Sequence, residues 1–105
     1  MLAPADKPPP HPGEMLREDC LPELGWTPEE LAGRLLVPVE TVRDLLAQRT
    51  GVTPELALRL GRLFGQSPSF WLDLQLLYEI YLTEHSPAGR DILLIEPLRE
   101  IRKAG

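Results

Sequence analysis

TPEELAGRLLVPVETVRDLL, residues 27–46, is the stretch whose reading decides the fold. Leu31, Ala32 and Leu35 recur at helical period, and Val37, Val42, Leu45 and Leu46 resume that period after a break of only a few residues. Pro38 cannot continue a helix interior, but its fixed φ and missing N–H suit a helix start, so the break separates two helices. Thr27-Pro28-Glu29-Glu30 supplies a cap hydroxyl, a proline at the first helical position and a glutamate at the third, which is the capping-box arrangement. The small Ala32 lets the second helix cross closely over the first. Two short helices joined this tightly form a helix-turn-helix, whose second helix is shaped to enter a DNA major groove.

The same start signal returns on either side. Thr53-Pro54-Glu55 opens a helix running to about Phe64, with Gly65 as its C-cap and Leu56, Leu60 and Leu63 as its apolar stripe. Ser67-Pro68 opens another, in which Phe70, Trp71, Leu74, Leu77, Tyr78, Tyr81 and Leu82 make an unusually broad apolar surface. Upstream, a helix from Pro12 to about Leu24 has His11 as its cap and Met15, Leu16, Cys20 and Leu24 on its apolar side. Residues 1–10 hold Pro4, Pro8, Pro9 and Pro10 and read as a disordered or polyproline arm. Downstream, His85–Gly89 reads as a loop, Ile92–Ile95 as a short strand and Pro97–Lys103 as a last helical turn or two. The expected fold is all-α: a compact five-helix bundle containing the helix-turn-helix over residues 11–84, followed by a short tail over 85–105.

A chain of 105 residues is one domain, small enough that dimerisation would help it. Its apolar runs are too short to span a bilayer and its N-terminus lacks the pattern of a signal peptide, so no membrane is expected. The single Cys20 excludes an internal disulfide and is compatible with a reducing, cytoplasmic setting; it is expected to pack rather than react. His11 and His85 have no Cys or carboxylate cluster at ligand spacing, so neither metal nor cofactor is expected. No nucleophile has an evident base, no glycine-rich phosphate loop exists, and Asp73 and Glu79 read as a solvated edge, which excludes an enzyme.

Charge cuts against a simple DNA binder. Eleven Lys and Arg face sixteen Asp and Glu, for a net charge of −5. Residues 1–25 carry −3, residues 26–50 −1, residues 51–84 −2 and residues 85–105 +1, so no segment is a basic patch. Phosphate neutralisation supplies much of the affinity for DNA, whereas an acidic body suits a basic protein partner. With Val42, Leu45 and Leu46 facing inward, Glu40, Asp44 and Ala47 face outward, flanked by Thr41 and Gln48 on one side and Arg43 on the other. Glutamate can accept from cytosine N4, and Gln48 or Arg43 can read adenine or guanine, but two carboxylates four residues apart repel phosphates. The face reads equally as the solvated side of a packed helix. The candidate DNA-binding set is Thr27, Val39, Glu40, Thr41, Arg43, Asp44, Gln48 and Arg49. On the last long helix the apolar surface extends further than one small core can cover, which points to a two-fold dimer seam of Trp71, Leu74, Tyr78, Tyr81 and Leu82. The tail either completes that seam or binds elsewhere.

Three stretches together carry a family resemblance: His11-Pro12-Gly13-Glu14, Thr27-Pro28-Glu29-Glu30-Leu31-Ala32 and Ser67-Pro68-Ser69-Phe70-Trp71-Leu72-Asp73-Leu74-Gln75. Over residues 11–82 the chain resembles the HigA-type antitoxins of the XRE helix-turn-helix class, also described as virulence-associated protein I. The resemblance implies a lambda-repressor-like domain and a homodimer. It further implies a toxin partner of the RelE-like HigB class, a ribosome-dependent mRNA nuclease, and operator DNA through which the operon represses itself. The chain departs from the pattern where DNA would be read. Leu36 stands where members commonly have glycine, so the turn is expected to be reshaped to avoid a left-handed leucine, which would be strained by roughly 1 kcal/mol. Pro38-Val39 and Arg43-Asp44 stand for two Ser-Arg pairs and Ala47-Gln48 for an Asn-Gly, leaving Val39 and Asp44 at base-reading arginine positions. The leading reading is an antitoxin that blocks such a toxin and represses its operon as a dimer. The alternatives are a helix-turn-helix protein acting only by protein contact, and a stand-alone regulator without a toxin.

Overall fold

In a computed structural model residues 8–98 are described, and every regular element among them is helical. Most of the expected N-terminal arm and of the last helical turns (residues 1–7 and 99–103) falls outside the described residues. Pro8–Pro10 and Pro97–Leu98 have no regular structure.

The first helix departs from its expected register. It comprises α1 (Pro12–Met15), a π-helical turn (Leu16–Cys20) and α2 (Leu21–Leu24), joined without a break. Pro22 has no N–H to give the helix and its ring crowds the carbonyl four residues back, and the backbone widens to the π form immediately before it. A π turn brings residues five apart onto one face. Leu16 and Leu21 are therefore the buried pair, Cys20 is half-buried, and Leu24, expected on the apolar side, is exposed. His11 caps the helix as expected, its Nδ1 accepting from the Gly13 N–H at 2.9 Å.

The next elements follow the sequence signals: α3 (Pro28–Leu35), α4 (Val39–Leu46), α5 (Pro54–Phe64) and α6 (Pro68–Glu84). Thr27 Oγ1 accepts from Glu30 N at 3.1 Å and Glu30 Oε1 accepts from Thr27 N at 2.9 Å, so the capping box is complete. Thr53 and Ser67 cap α5 and α6 with the hydroxyl alone, accepting from Leu56 N and Ser69 N, without the reciprocal glutamate. A further helix, α7 (Pro87–Leu93), then takes up most of the expected loop at His85–Gly89 and the first half of the expected strand at Ile92–Ile95, whose second half is a turn and irregular chain. With the first three segments counted as one, the described chain has six helices rather than five. Ser86-Pro87 is a fourth instance of the start signal, and the α6–α7 corner turns where Gly89 is buried. A Cβ on Gly89 would come within 2.1 Å of the Glu84 carbonyl oxygen, so only glycine lets the two helices meet.

One core joins these helices. It is built from Leu16, Leu31, Leu35, Val42, Leu45, Leu56, Leu60 and Trp71 with smaller neighbours. Burying each leucine contributes about 2 kcal/mol of transfer free energy. The first helix approaches α4 so closely that a Cβ on Gly13 would lie 1.8 Å from the Leu45 carbonyl oxygen. Trp26, Phe64 and Trp71 line up along one flank, with ring centroids 6.3 and 6.0 Å apart, and the Arg34 guanidinium lies 4.2 Å over Trp26.

Candidate nucleic-acid interface

The turn between α3 and α4 is not reshaped. Leu36 adopts the left-handed conformation at φ 61°, ψ 45° with its side chain 79% exposed. Val37 N donates to Ala32 O at 3.1 Å and Leu36 N to Gly33 O at 3.3 Å, so the end of α3 closes as it would with glycine there. Arg59 on α5 supports it. Its Nη1 donates to the carbonyls of Leu35 at 2.8 Å and Leu36 at 3.3 Å, while Nε and Nη2 donate to Glu55 Oε2. At the other end of α4, Arg17 Nη1 donates to Leu46 O at 2.8 Å. Two arginines from other helices thus satisfy the carbonyl ends of the helix pair.

The backbone after α4 is fixed by a buried amide. Gln48 turns the chain at φ 62°, and Gln75 on α6 reaches across to it. Gln75 Oε1 accepts from Val52 N at 2.9 Å, and Nε2 donates to Glu79 Oε2 at 2.9 Å. A Cβ on Gly51 would meet the Gln75 amide at 2.6 Å, so the loop and the side chain are mutually fitted. Neither Gln75 nor Glu79 was singled out by apolar periodicity. The signal was available, because Gln75 lies four residues after Trp71, on the stripe of α6 that faces the core.

Of the expected DNA-binding residues, Glu40, Arg43 and Arg49 are exposed and Thr41, Asp44 and Gln48 half-buried on one side of α4 and the turn after it. Thr27 opens α3 beside them. Val39 is half-buried and packed against the core, less available than the rest. The helix crossing adds a residue that the sequence did not suggest: Arg43 Nη2 donates to Glu29 Oε2, fourteen positions earlier on α3. Arg49 Nε and Nη2 both donate to Asp44 Oδ1, at 3.0 and 2.8 Å. Both arginines of the face are held by carboxylates. The Glu29 carboxyl is kept below its ordinary range by its own backbone N–H at the helix start and then by Arg43.

The α6 residues divide differently from the expected seam. Trp71 is 1% exposed and belongs to the core, so its ring is not available to a second copy, which corrects its place in the expected seam. Leu74, Tyr78 and Tyr81 are half-buried and Leu82 is exposed. Leu76, Leu77 and Ile80 extend the open apolar surface, and Ile92 of α7 borders it. Tyr78 meets the His11 ring edge-on at 4.9 Å. Burial lowers the His11 pKa, against raising effects from Glu14, Glu79 and the Thr50 backbone. Burial, with Asp19 and Glu23 nearby, raises that of the Cys20 thiol, which suits packing rather than nucleophilic chemistry. Among the described residues no three His, Cys, Asp or Glu side chains gather as a metal site, and no helix is long and apolar enough to cross a membrane.

No family model matches the chain. Virulence-associated protein I of Dichelobacter nodosus is 34% identical over 84 residues, covering 80% of this chain and 78% of that protein. The structure of antitoxin HigA of Pseudomonas aeruginosa with the higBA promoter is similar at 38% identity and a TM-score of 0.79, covering 86% of this chain and 98% of that one. The structure of antitoxin GraA in complex with its operator is similar at 34% identity and a TM-score of 0.80, covering 95% and 100%.

Proposed function

The chain belongs to the family of virulence-associated protein I and the HigA antitoxins, a family of antitoxins and helix-turn-helix regulators rather than enzymes, and from that premise we propose that it binds operator DNA as a homodimer, represses its own operon and neutralises a RelE/HigB-like mRNA endonuclease in the cytoplasm. One observation carries the DNA part. The open face of α4, framed by Thr27 and Glu29 of α3, belongs to the fold in which HigA and GraA have been solved with promoter and operator DNA. The acidic balance of −5 supports a basic toxin as the protein partner. Thr27, Thr41, Arg43, Asp44, Gln48 and Arg49 are the proposed DNA contacts. Val39 is the least exposed member of the expected set, and Glu40, a carboxylate that no arginine engages among the described residues, is proposed as a bystander on the face rather than a contact.

The test is a titration of the purified protein against its own promoter fragment and an unrelated duplex at two salt concentrations. Arg43→Ala is expected to weaken promoter binding by about 1–3 kcal/mol and to relax the preference at one base pair, if the arginine is bidentate to a guanine. Equal weak binding to both duplexes, unmoved by Arg43→Ala, favours a protein that acts by protein contact alone. Co-purification with a short basic RelE-like protein encoded beside it separates the antitoxin from a stand-alone regulator.

A further inference from the structure

The proposed DNA face is negative on balance. Glu29, Glu40 and Asp44 outnumber Arg43 and Arg49, and each arginine is already engaged by one of the carboxylates. An arginine free on a surface attaches to any phosphate, a contact independent of sequence that supplies most non-specific affinity. Here Asp44 Oδ1 takes the Nε and Nη2 donors of Arg49, which leaves Nη1 and the outer hydrogen of Nη2 at the far end of the guanidinium. Those remaining donors match a neutral acceptor pair such as guanine O6 and N7. A phosphate in the same place would sit beside the carboxylate that holds the arginine and be repelled by it. Glu29 engages Arg43 from the neighbouring helix through Nη2 alone, a looser hold than that of Asp44 on Arg49, and it leaves Nε and Nη1 without a protein partner among the described residues.

We infer that Glu29 and Asp44 are specificity determinants of this protein: by holding Arg43 and Arg49 they suppress sequence-independent phosphate binding while leaving both guanidinium groups able to read base edges. This rests on the operator-binding reading above. The discrimination arises from an unfavourable contact with the wrong target, not from an added favourable one with the right target. Glu40 supplies the internal control. It lies on the same face and carries the same charge, and no hydrogen bond or ion pair ties it to an arginine among the described residues.

The experiment uses the full chain and three single variants, Glu29→Gln, Asp44→Asn and Glu40→Gln, each titrated against the promoter fragment and an unrelated duplex at two salt concentrations. Glu29 and Glu40 are exposed and Asp44 is half-buried at the surface, so all three variants are expected to fold, which thermal melts check directly. Glu29→Gln and Asp44→Asn are expected to raise affinity for the unrelated duplex about three- to tenfold, and affinity for the promoter by less. Their promoter-to-unrelated ratio therefore falls about threefold, and the salt dependence steepens by about one counterion. Glu40→Gln is expected to raise both affinities by one common factor and leave the ratio where it was. An unchanged ratio in both Glu29→Gln and Asp44→Asn overturns the inference, as does an equal fall in Glu40→Gln. If the unaltered protein itself shows no preference for its promoter, the operator-binding reading fails first and takes this one with it.

Discussion

Leu36 holds a left-handed backbone that a β-carbon resists, and its side chain gains little from the core because most of it faces solvent. Replacing it removes strain and sacrifices little burial. Leu36→Gly is therefore expected to stabilise the protein by about 1 kcal/mol, read as a higher urea midpoint at unchanged slope. A midpoint that stays put or falls would show that the turn is not under that strain. His11 is the other residue whose environment has a measurable consequence. Burial lowers its pKa below the ordinary 6.5, so the unfolded chain takes up a proton more readily than the folded one. Stability is thus unaffected by this group at higher pH, falls as pH drops below about 6.5 and levels off beneath the lowered folded value. Asn can accept from the Gly13 N–H as the His11 ring does, but it does not titrate. His11→Asn should therefore lose less stability between pH 7.5 and 5 than the unaltered protein, measured by urea unfolding at both. An identical loss in the two proteins would assign the slope to other groups.

Two helices, α3 and α4, end on donors borrowed from other helices, and there their stability is exposed to mutation. Arg59 satisfies the carbonyls of Leu35 and Leu36, the end of α3 that sets the entry of α4. Arg59→Met keeps the apolar stem and removes the donors, and is expected to cost about 1–2 kcal/mol in denaturant unfolding. A cost near zero would mean that water replaces the guanidinium. The contrast between starts and ends also explains what could be read from the residues alone. Helix starts were legible, because Thr27-Pro28, Thr53-Pro54 and Ser67-Pro68 each combine a cap hydroxyl with a proline that fits only the first helical position. Ser86-Pro87 carried the same signal, but Ile92–Ile95 is an apolar run of strand-like length, and periodicity cannot separate such a run from a short helix. The π turn was not legible from apolar spacing, since its register of five was read as a register of four, and Leu24 took the place that belongs to Leu21. The open side of α4 followed from period alone. The Glu29–Arg43 pair did not, because only the crossing of two helices brings residues fourteen apart into contact.

Across the whole molecule, the surface left over after the core is built is apolar mainly along α6 and α7. Leu76, Leu77 and Ile80 form an open apolar patch on α6 with Ile92 of α7 at its border. Leu82, on another side of α6, and Leu93, Leu94 and Ile95 are exposed besides, an excess of apolar surface of the kind that marks an interface. A second copy brought onto the same patch by a two-fold axis would bury it on both sides, as the proposed homodimer requires. The open positions make a cleaner probe than Trp71, whose loss would damage the core. Leu77 and Leu82 are 53% and 49% exposed, so a glutamate at either site remains solvated in the monomer and should not impair folding. In a dimer the same carboxylate would be buried opposite apolar side chains with no partner, at a cost of several kcal/mol. Leu77→Glu and Leu82→Glu should therefore keep their helical content and shift the sedimentation coefficient from dimer to monomer. A dimer that persists in both variants would move the interface off α6, and an unaltered protein that sediments as a monomer would remove the seam altogether.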